Sequence, residues 1–184
     1  MLNILHTESS DGWGGQEART VLEAEHFGQR GHRVRIAGPP NSGIGREAHR
    51  RGVPFVPILM RSVMDLSGWY QFCRLLRHEQ PTILHTHSSK DSWLAGLAGK
   101  QAGVPALIRT RHVSIPVHAH RLNLVYKIPD RIIVTASITR NHLVKHCGLD
   151  PNRVVTLPTG VDLNQFGPHI SGKPFREEFG LDET

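Results

Sequence analysis

The chain has 184 residues, of which 38% are hydrophobic and 21% charged, and its formal net charge at pH 7 is +6. This is the composition of a folded globular protein and excludes a disordered chain. No run reaches about 18 apolar residues, which excludes a membrane-spanning helix. The N-terminus lacks the basic and apolar regions of a secretion signal.

Short apolar runs alternate with helical patterns along the chain. Strands are predicted at Leu2–His6, Arg33–Ala37, Phe55–Ile58, Ile83–His87, Ala106–Arg109, Arg131–Thr135 and Val154–Leu157. Helices are predicted at Gln16–Arg30, Gly43–Arg51, Trp69–His78, Asp91–Ala102, Arg121–Lys127 and Ile138–His146. Such alternation predicts right-handed βαβ units, and hence an α/β fold with a doubly wound, mostly parallel, Rossmann-like sheet.

Glycines mark the ends of four predicted helices. They are Gly31, Gly52, Gly103 and Gly148, each at the position where a left-handed residue commonly ends a helix. The two cysteines, Cys73 and Cys147, share no short spacing and are predicted to be reduced thiols of a cytoplasmic protein.

A glycine-rich turn, "SSDGWGGQEART", follows the first predicted strand and leads into the first predicted helix. Glycine there permits a positive φ or the close approach of a ligand, and the N–H groups of a helix start attract anions. Neither G-x-G-x-x-G nor a P-loop is present. A plain strand-to-helix turn therefore remains an alternative.

Three chemistry-bearing loops follow parallel strands and should meet at the carboxyl edge of the sheet. They are the turn around Trp13, "HTHSS" at residues 85–89 and "RTRHV" at residues 109–113. His85 and His87 would share one face of a strand. No carboxylate or cysteine lies at ligand-like spacing, so no metal site is predicted. G-x-S-x-G is also absent, which argues against a serine hydrolase.

A basic stretch spans residues 100–127. No acidic residue lies between Asp91 and Asp130, whereas lysines, arginines and histidines do. The excess charge favours an anionic partner such as phosphate or lipid, although a solvated basic face is the simpler interpretation. Basic motifs interleaved with aromatic residues are absent, so nucleic-acid binding is not predicted.

Six motifs occur in an order that resembles the N-terminal domain of family 4 retaining glycosyltransferases of the GT-B fold. They are "GGQE", "GHRVRIAG", "PTILHTHS", "LIRTRHV", "DRIIVTAS" and "VVTLPTGVDLNQFGP". The likeness runs from Leu2 to about Phe166 and is nearest to enzymes that build lipopolysaccharide or related envelope glycans. Thr159 stands where the family usually has Asn.

The resemblance implies a division of the complete enzyme into two domains. Residues 1–166 would form the Rossmann-like acceptor-binding domain, and residues 167–184 the linker and the start of a truncated domain for the nucleotide sugar. The chain alone is then expected to be inactive, because the donor domain is absent. The enzyme would be a hexosyl- or heptosyltransferase that uses a nucleotide diphosphate sugar without a metal or other cofactor.

The resemblance also assigns site residues. His112 matches the histidine that approaches the transferred sugar and is the expected catalytic residue. The expected donor- or acceptor-binding residues are Gly14, Gly15, Glu17, His87, Ser88, Arg109 and Arg111.

The expected partners are a glycan or glycolipid acceptor, the nucleotide sugar and, at the inner face of the membrane, anionic lipid. The alternative is a non-catalytic α/β module that binds an anionic ligand through residues 100–127.

Overall fold

A computed structural model describes residues 1–113, 124–161, 163 and 167–181. In this part of the chain, seven parallel strands form one sheet in the order β3-β2-β1-β4-β5-β6-β7. The strands are β1 (Asn3–Thr7), β2 (Arg33–Gly38), β3 (Phe55–Pro57), β4 (Ile83–Thr86), β5 (Ala106–Arg111), β6 (Arg131–Val134) and β7 (Val154–Thr156). The helices are α1 (Gly15–Gln29), α2 (Gly43–Arg50), α3 (Leu66–Glu79), α4 (Ser89–Ala102), α5 (Leu124–Lys127), α6 (Ser137–Lys145) and α7 (Lys173–Phe179).

The strand order reverses between β1 and β4. The chain runs outward from β1 to β3, returns to β4 beside β1, and then runs outward again to β7. This is the doubly wound topology that the sequence predicts. The reversal places the loops after β1 and β4 side by side at the carboxyl edge, where open α/β sheets bind ligands.

The two faces of the central strands bury different residues because side chains alternate along a strand. On one face Leu5, Leu84 and Leu107 are aligned across β1, β4 and β5 and pack with residues of α3 and α4. The opposite face buries Ile4 and Ile36 with residues of α1 and α2. The core therefore lies on both sides of the sheet.

Within the described residues, the largest difference from the predicted bounds lies at the start of α3. Asp65 caps α3 by accepting hydrogen bonds from the N–H groups of Ser67 and Gly68, so α3 begins at Leu66 and not at Trp69. All four glycines predicted to end helices have a positive φ, between 66° and 83°. The predicted start of α5 lies outside the described residues.

One helix was not predicted. Residues after 166 have the composition of a linker, yet α7 forms there, with a proline in its first turn and Gly180 in the left-handed conformation at its end. None of its residues is buried. In the described part of the chain, no helix combines the length and apolar character needed to cross a membrane.

Close packing of α4 against the sheet predicts that Gly99→Ala will destabilise the fold. A Cβ at Gly99 would lie 2.5 Å from Cδ2 of Leu84 and 2.8 Å from Cδ2 of Leu107, both buried. We expect the free energy of unfolding to fall by about 1–3 kcal/mol. Urea denaturation measures the change.

Gly96→Ala is the matched control in the same helix. Its Cβ would meet only Cγ2 of Ile128, at 3.7 Å. We expect unchanged stability or a gain of up to about 1 kcal/mol, because alanine favours the helix. Equal losses in both variants would contradict the packing argument.

Candidate active site at the carboxyl edge of the sheet

The carboxylate of Glu8, the residue that follows β1, organises this edge. One oxygen accepts hydrogen bonds from the backbone N–H groups of Ser9 (2.7 Å) and Ser10 (2.9 Å) and from the hydroxyl of Ser88. The other oxygen accepts one from the side-chain amide of Gln16 at 2.5 Å. Glu8 is fully buried, and burial raises the pKa of its carboxyl group. This one group thus joins the loop after β1, the start of α1 and the end of β4.

A second buried carboxylate, Asp91, lies in the first turn of α4. It accepts hydrogen bonds from the N–H of His87 (2.8 Å), the N–H of Ser88 (2.9 Å) and the hydroxyl of Thr7 (2.9 Å). Burial raises its pKa to about 8. The sequence analysis missed both carboxylates. The pattern Ser88-x-x-Asp91 is a helix-start signature that could have identified the second.

The glycine-rich turn packs against the start of α2 at Gly12, whereas the space beside Gly15 is open. The N–H of Gly43 donates to the carbonyl of Asp11 at 3.1 Å, and a Cβ on Gly43 would lie 2.4 Å from the oxygen of Gly12. Neither Gly14 nor Gly15 has a positive φ, and a Cβ on Gly15 would meet no atom within 4 Å. The fold itself therefore does not require glycine at position 15, whereas the close approach of a ligand would.

Four histidines line the face of β1, β4 and β5 that continues the apolar packing under α1 and α2. His6 and His85 are aligned across β1 and β4, and His87 lies two residues further along. Nδ1 of His6 is 3.0 Å from Nε2 of His87, and Nδ1 of His87 is 3.0 Å from Nε2 of His112. Nε2 of His85 is 2.7 Å from the hydroxyl of Thr110. We call these four residues the histidine layer.

Burial keeps the histidine layer uncharged. Desolvation lowers the pKa of His6 to about 4, and desolvation together with nearby Arg19 lowers that of His112 to about 4. The pKa values of His85 and His87 are lowered well below the usual value, again mainly by burial. All four imidazoles are therefore neutral at pH 7. Ring nitrogens of His6, His85 and His87 lie within 4.8 Å of one another and offer the described part of the chain a possible set of metal ligands.

Arg19 connects α1 with the segment that follows β7. Its guanidinium is 2.6 Å from the carboxylate of Glu23, and Nη1 donates to the carbonyl of Leu157 (3.1 Å) and to the hydroxyl of Thr159 (3.3 Å). Arg19 is buried. It was not among the predicted site residues, and a helical arginine carries no sequence signal of such a role.

The structure separates the predicted site residues into two groups. His87, Ser88 and His112 lie together with the turn that contains Gly14 and Gly15; Gln16 bridges to the hydroxyl of Ser88 at 2.7 Å. Glu17 is buried in the first turn of α1.

The two predicted arginines form the second group, and the guanidinium group of each contacts Tyr126. The guanidinium carbon of Arg109 lies 4.5 Å from the ring centroid of Tyr126, and Arg109 is 4% exposed. Arg111 donates to the hydroxyl of Tyr126 at 2.8 Å. Within the described part of residues 100–127, Lys100 and Lys127 are the exposed basic residues. His118, His120 and Arg121 lie outside the described residues.

The seven-stranded, doubly wound parallel sheet is a Rossmann-like domain of the kind found in GT-B glycosyltransferases. The chain matches the model of Glycosyltransferase Family 4 over residues 13–165, and it belongs to that family.

Among curated relatives, the chain is 31% identical over 137 residues to the UDP-Gal:alpha-D-GlcNAc-diphosphoundecaprenol alpha-1,3-galactosyltransferase of Escherichia coli. The match covers 67% of this chain and 35% of that enzyme, so the chain spans about a third of the relative's length.

Solved structures give the same fold. A glycosyltransferase from Rickettsia africae ESF-5 superposes with a TM-score of 0.78 at 17% identity, over 100% of this chain and 50% of that one. Anabaena Alr3699/HepE, in complex with UDP and glucose, superposes with a TM-score of 0.75 at 13% identity, over 98% of this chain and 50% of that one. The chain therefore corresponds to one half of these structures.

The neutral histidine layer predicts that acid will destabilise the fold. Unfolded histidines take up protons below about pH 6.5, whereas the buried ones stay neutral to about pH 4 or lower. The free energy of unfolding should therefore fall from pH 6.5 towards pH 4, by up to about 1.4 kcal/mol per pH unit for each histidine. The raised pKa values of the Glu8 and Asp91 carboxyl groups act in the opposite sense, but they are two groups against four.

Urea denaturation at several pH values checks this slope. His85→Gln removes one titrating group and should flatten it by up to about 1.4 kcal/mol per pH unit. His26→Gln, on the exposed side of α1, should leave the slope unchanged. A slope that His85→Gln does not alter would contradict the assignment.

Proposed function

We propose that this chain is the acceptor-binding half of a retaining glycosyltransferase. The complete enzyme would transfer a hexosyl or heptosyl group from a nucleotide diphosphate sugar to a hydroxyl group of a glycan or glycolipid. The E. coli relative is named for a diphosphoundecaprenol-linked acceptor, and the Anabaena structure holds UDP and glucose. Both support a nucleotide-sugar donor for this chain, and the E. coli relative also supports a lipid-linked glycan acceptor.

The observation that carries the proposal is the position of His112. It is partly exposed at the carboxyl edge, its Nε2 is bonded to buried His87, and it follows the strand beside the one that leads to Ser88. In glycosyl transfer the bond from the anomeric carbon to the phosphate oxygen breaks, and a bond to the acceptor oxygen forms. A neutral, fixed imidazole can hydrogen-bond a sugar hydroxyl in that transition state, where such contacts accelerate the reaction.

The start of α1 supplies a complementary site for negative charge. Gly14 precedes the helix without a side-chain cap, so the N–H groups of the first turn lack a side-chain partner there. Gly15 leaves open space beside them. We propose that these groups help to neutralise the donor pyrophosphate without a metal.

The proposal includes peripheral association with an anionic membrane at its cytoplasmic face, where a lipid-linked acceptor would lie. Met64, in the segment between β3 and α3, is 83% exposed, and Leu66, the first residue of α3, is 77% exposed; Arg61 in the same segment is also exposed. Apolar groups and a cation of this kind favour contact with an anionic bilayer, at about 1 kcal/mol for each basic residue.

The alternative of a non-catalytic module loses much of its support. It relies on the basic stretch 100–127, yet Arg109 and Arg111 are held against Tyr126. The described part of that stretch presents no continuous basic surface.

In the complete enzyme, His112→Ala should lower kcat about 100-fold, because it removes a hydrogen bond made in the transition state. Steady-state kinetics with the donor and acceptor measure the effect. His26→Ala, on the same fold but exposed near the far end of α1, is the control and should keep kcat within about twofold. Similar small losses in both variants would reduce His112 to an ordinary loop residue.

Gly15→Ala tests the opening at the start of α1. We expect unchanged stability, because the added Cβ meets no protein atom within 4 Å, but a KM for the donor that rises about tenfold through contact with the ligand. Gly28→Ala, also in α1 and equally open, should leave the KM unchanged and the stability unchanged or raised by up to about 1 kcal/mol. Thermal unfolding and donor titration separate the two effects, and an unchanged KM in Gly15→Ala would show that no ligand passes this point.

A further inference from the structure

A chain of hydrogen-bonded imidazoles runs from the interior of the domain to the proposed sugar site. It begins at His6, which is 0% exposed, passes through His87, which is 3% exposed, and ends at partly exposed His112. Both nitrogen–nitrogen distances along it are 3.0 Å. Because His6 and His87 are both buried, neither can contact a ligand from solvent directly. Their effect on the site is therefore exerted through the hydrogen bond to His112.

Because the three imidazoles are neutral, all hydrogen bonds in this chain of rings must point in the same direction. A neutral imidazole carries a proton on one nitrogen only, so each histidine donates from one nitrogen and accepts at the other. If His87 donates to His112, then His6 must donate to His87. If His112 donates to His87, then His87 must donate to His6. Any mixed arrangement would set two N–H groups or two lone pairs against each other.

The buried end of the chain selects between the two directions. Nε2 of His6 is buried and has no hydrogen-bond partner among the residues that the structure describes. In the second direction this nitrogen would carry an unpaired, buried N–H group, and such donors are rarer than unpaired acceptors. The first direction leaves only a bare lone pair there. It places the protons on Nδ1 of His6, His87 and His112.

We propose that His6 and His87 are positioning residues that hold His112 as the Nδ1–H tautomer. Nε2 of His112 is then occupied as an acceptor, and Nδ1–H is a fixed donor for an oxygen of the transferred sugar or of the acceptor. This assignment rests on the proposed function of His112. It makes the site selective for a ligand that presents a hydrogen-bond acceptor at that nitrogen.

A buried metal site is the competing interpretation of the same residues. A cation held by His6, His85 and His87 would need a ring-nitrogen lone pair from each of them. Both ring nitrogens of His87 already take part in the hydrogen-bonded chain, so a cation bound to His87 would break one of its two links. The geometry, with each link at hydrogen-bond distance, favours the hydrogen-bonded chain.

Nitrogen NMR of ¹⁵N-histidine-labelled protein tests the tautomer directly, because the two ring nitrogens differ in chemical shift according to protonation. At pH 7 we expect Nδ1 of His112 to be protonated and Nε2 to be bare. His6→Leu removes the first donor and should give a mixture of His112 tautomers. His6→Asn keeps an amide donor near the position of Nδ1 and should restore the single tautomer, and His85→Gln, outside the chain, should leave it unchanged.

Kinetics of the complete enzyme separate a positioning role from a merely structural one. His6→Leu should lower kcat about tenfold with little change in KM, and His6→Asn should recover most of it. If the tautomer is as proposed but His112→Ala leaves kcat unchanged, the proposed function fails and the hydrogen-bonded chain stands. A protonated Nε2 in His112, or micromolar Zn²⁺ that shifts the nitrogens of His6, His85 and His87 together, would overturn the proposal. The wild-type spectrum alone decides the tautomer if His6→Leu does not fold.

Discussion

The candidate site depends on the buried carboxylate of Glu8. Its hydrogen bonds from Ser9, Ser10, Gln16 and Ser88 fix the glycine-rich turn, the start of α1 and the end of β4 relative to one another. Burying a carboxyl group is unfavourable unless its oxygens are hydrogen-bonded, and here both are. The hydrogen bonds that the buried Glu8 carboxylate accepts therefore fix the start of α1 beside His87 and His112.

At the same edge, buried polar side chains take the place of the apolar side chains that stabilise the rest of the sheet. Further down the sheet, Ile4 and Ile36 fill the space against α1 and α2 with apolar contacts. Towards the carboxyl end that face carries His6 and His85, and α1 covers the region with Arg19 and Thr20. Neutral imidazoles tolerate this burial, but only above the pH at which they would take up protons. The resulting interior is buried and polar, and we expect it to be sensitive to acid.

Sequence reasoning predicted the fold better than the site. Strand and helix positions follow from local periodicity and glycine stops, and these signals survive because the parallel sheet buries whole apolar runs. The meeting of the three loops was also predictable, because the carboxyl ends of parallel strands lie at one edge of the sheet. The sequence did not predict which polar side chains face solvent. Arg109 packs against Tyr126, and Glu8 and Asp91 are buried among hydrogen-bond donors. Such orientations depend on partners distant in sequence, as the separation of His6 from His87 illustrates.

Arg19 also interacts with residues distant in sequence, in the segment that follows the last strand of the sheet. Its positive charge contributes to the lowered pKa of His112, while its guanidinium holds the carbonyl of Leu157 and the hydroxyl of Thr159 in the segment that leaves β7. The side chain is buried, so the interaction is weakly screened by solvent. The helix that begins at the open glycine turn thus also anchors the chain's exit from the sheet. One buried cation thus holds the exit segment and also adds to the effect of burial, which is the larger cause of the lowered pKa of His112.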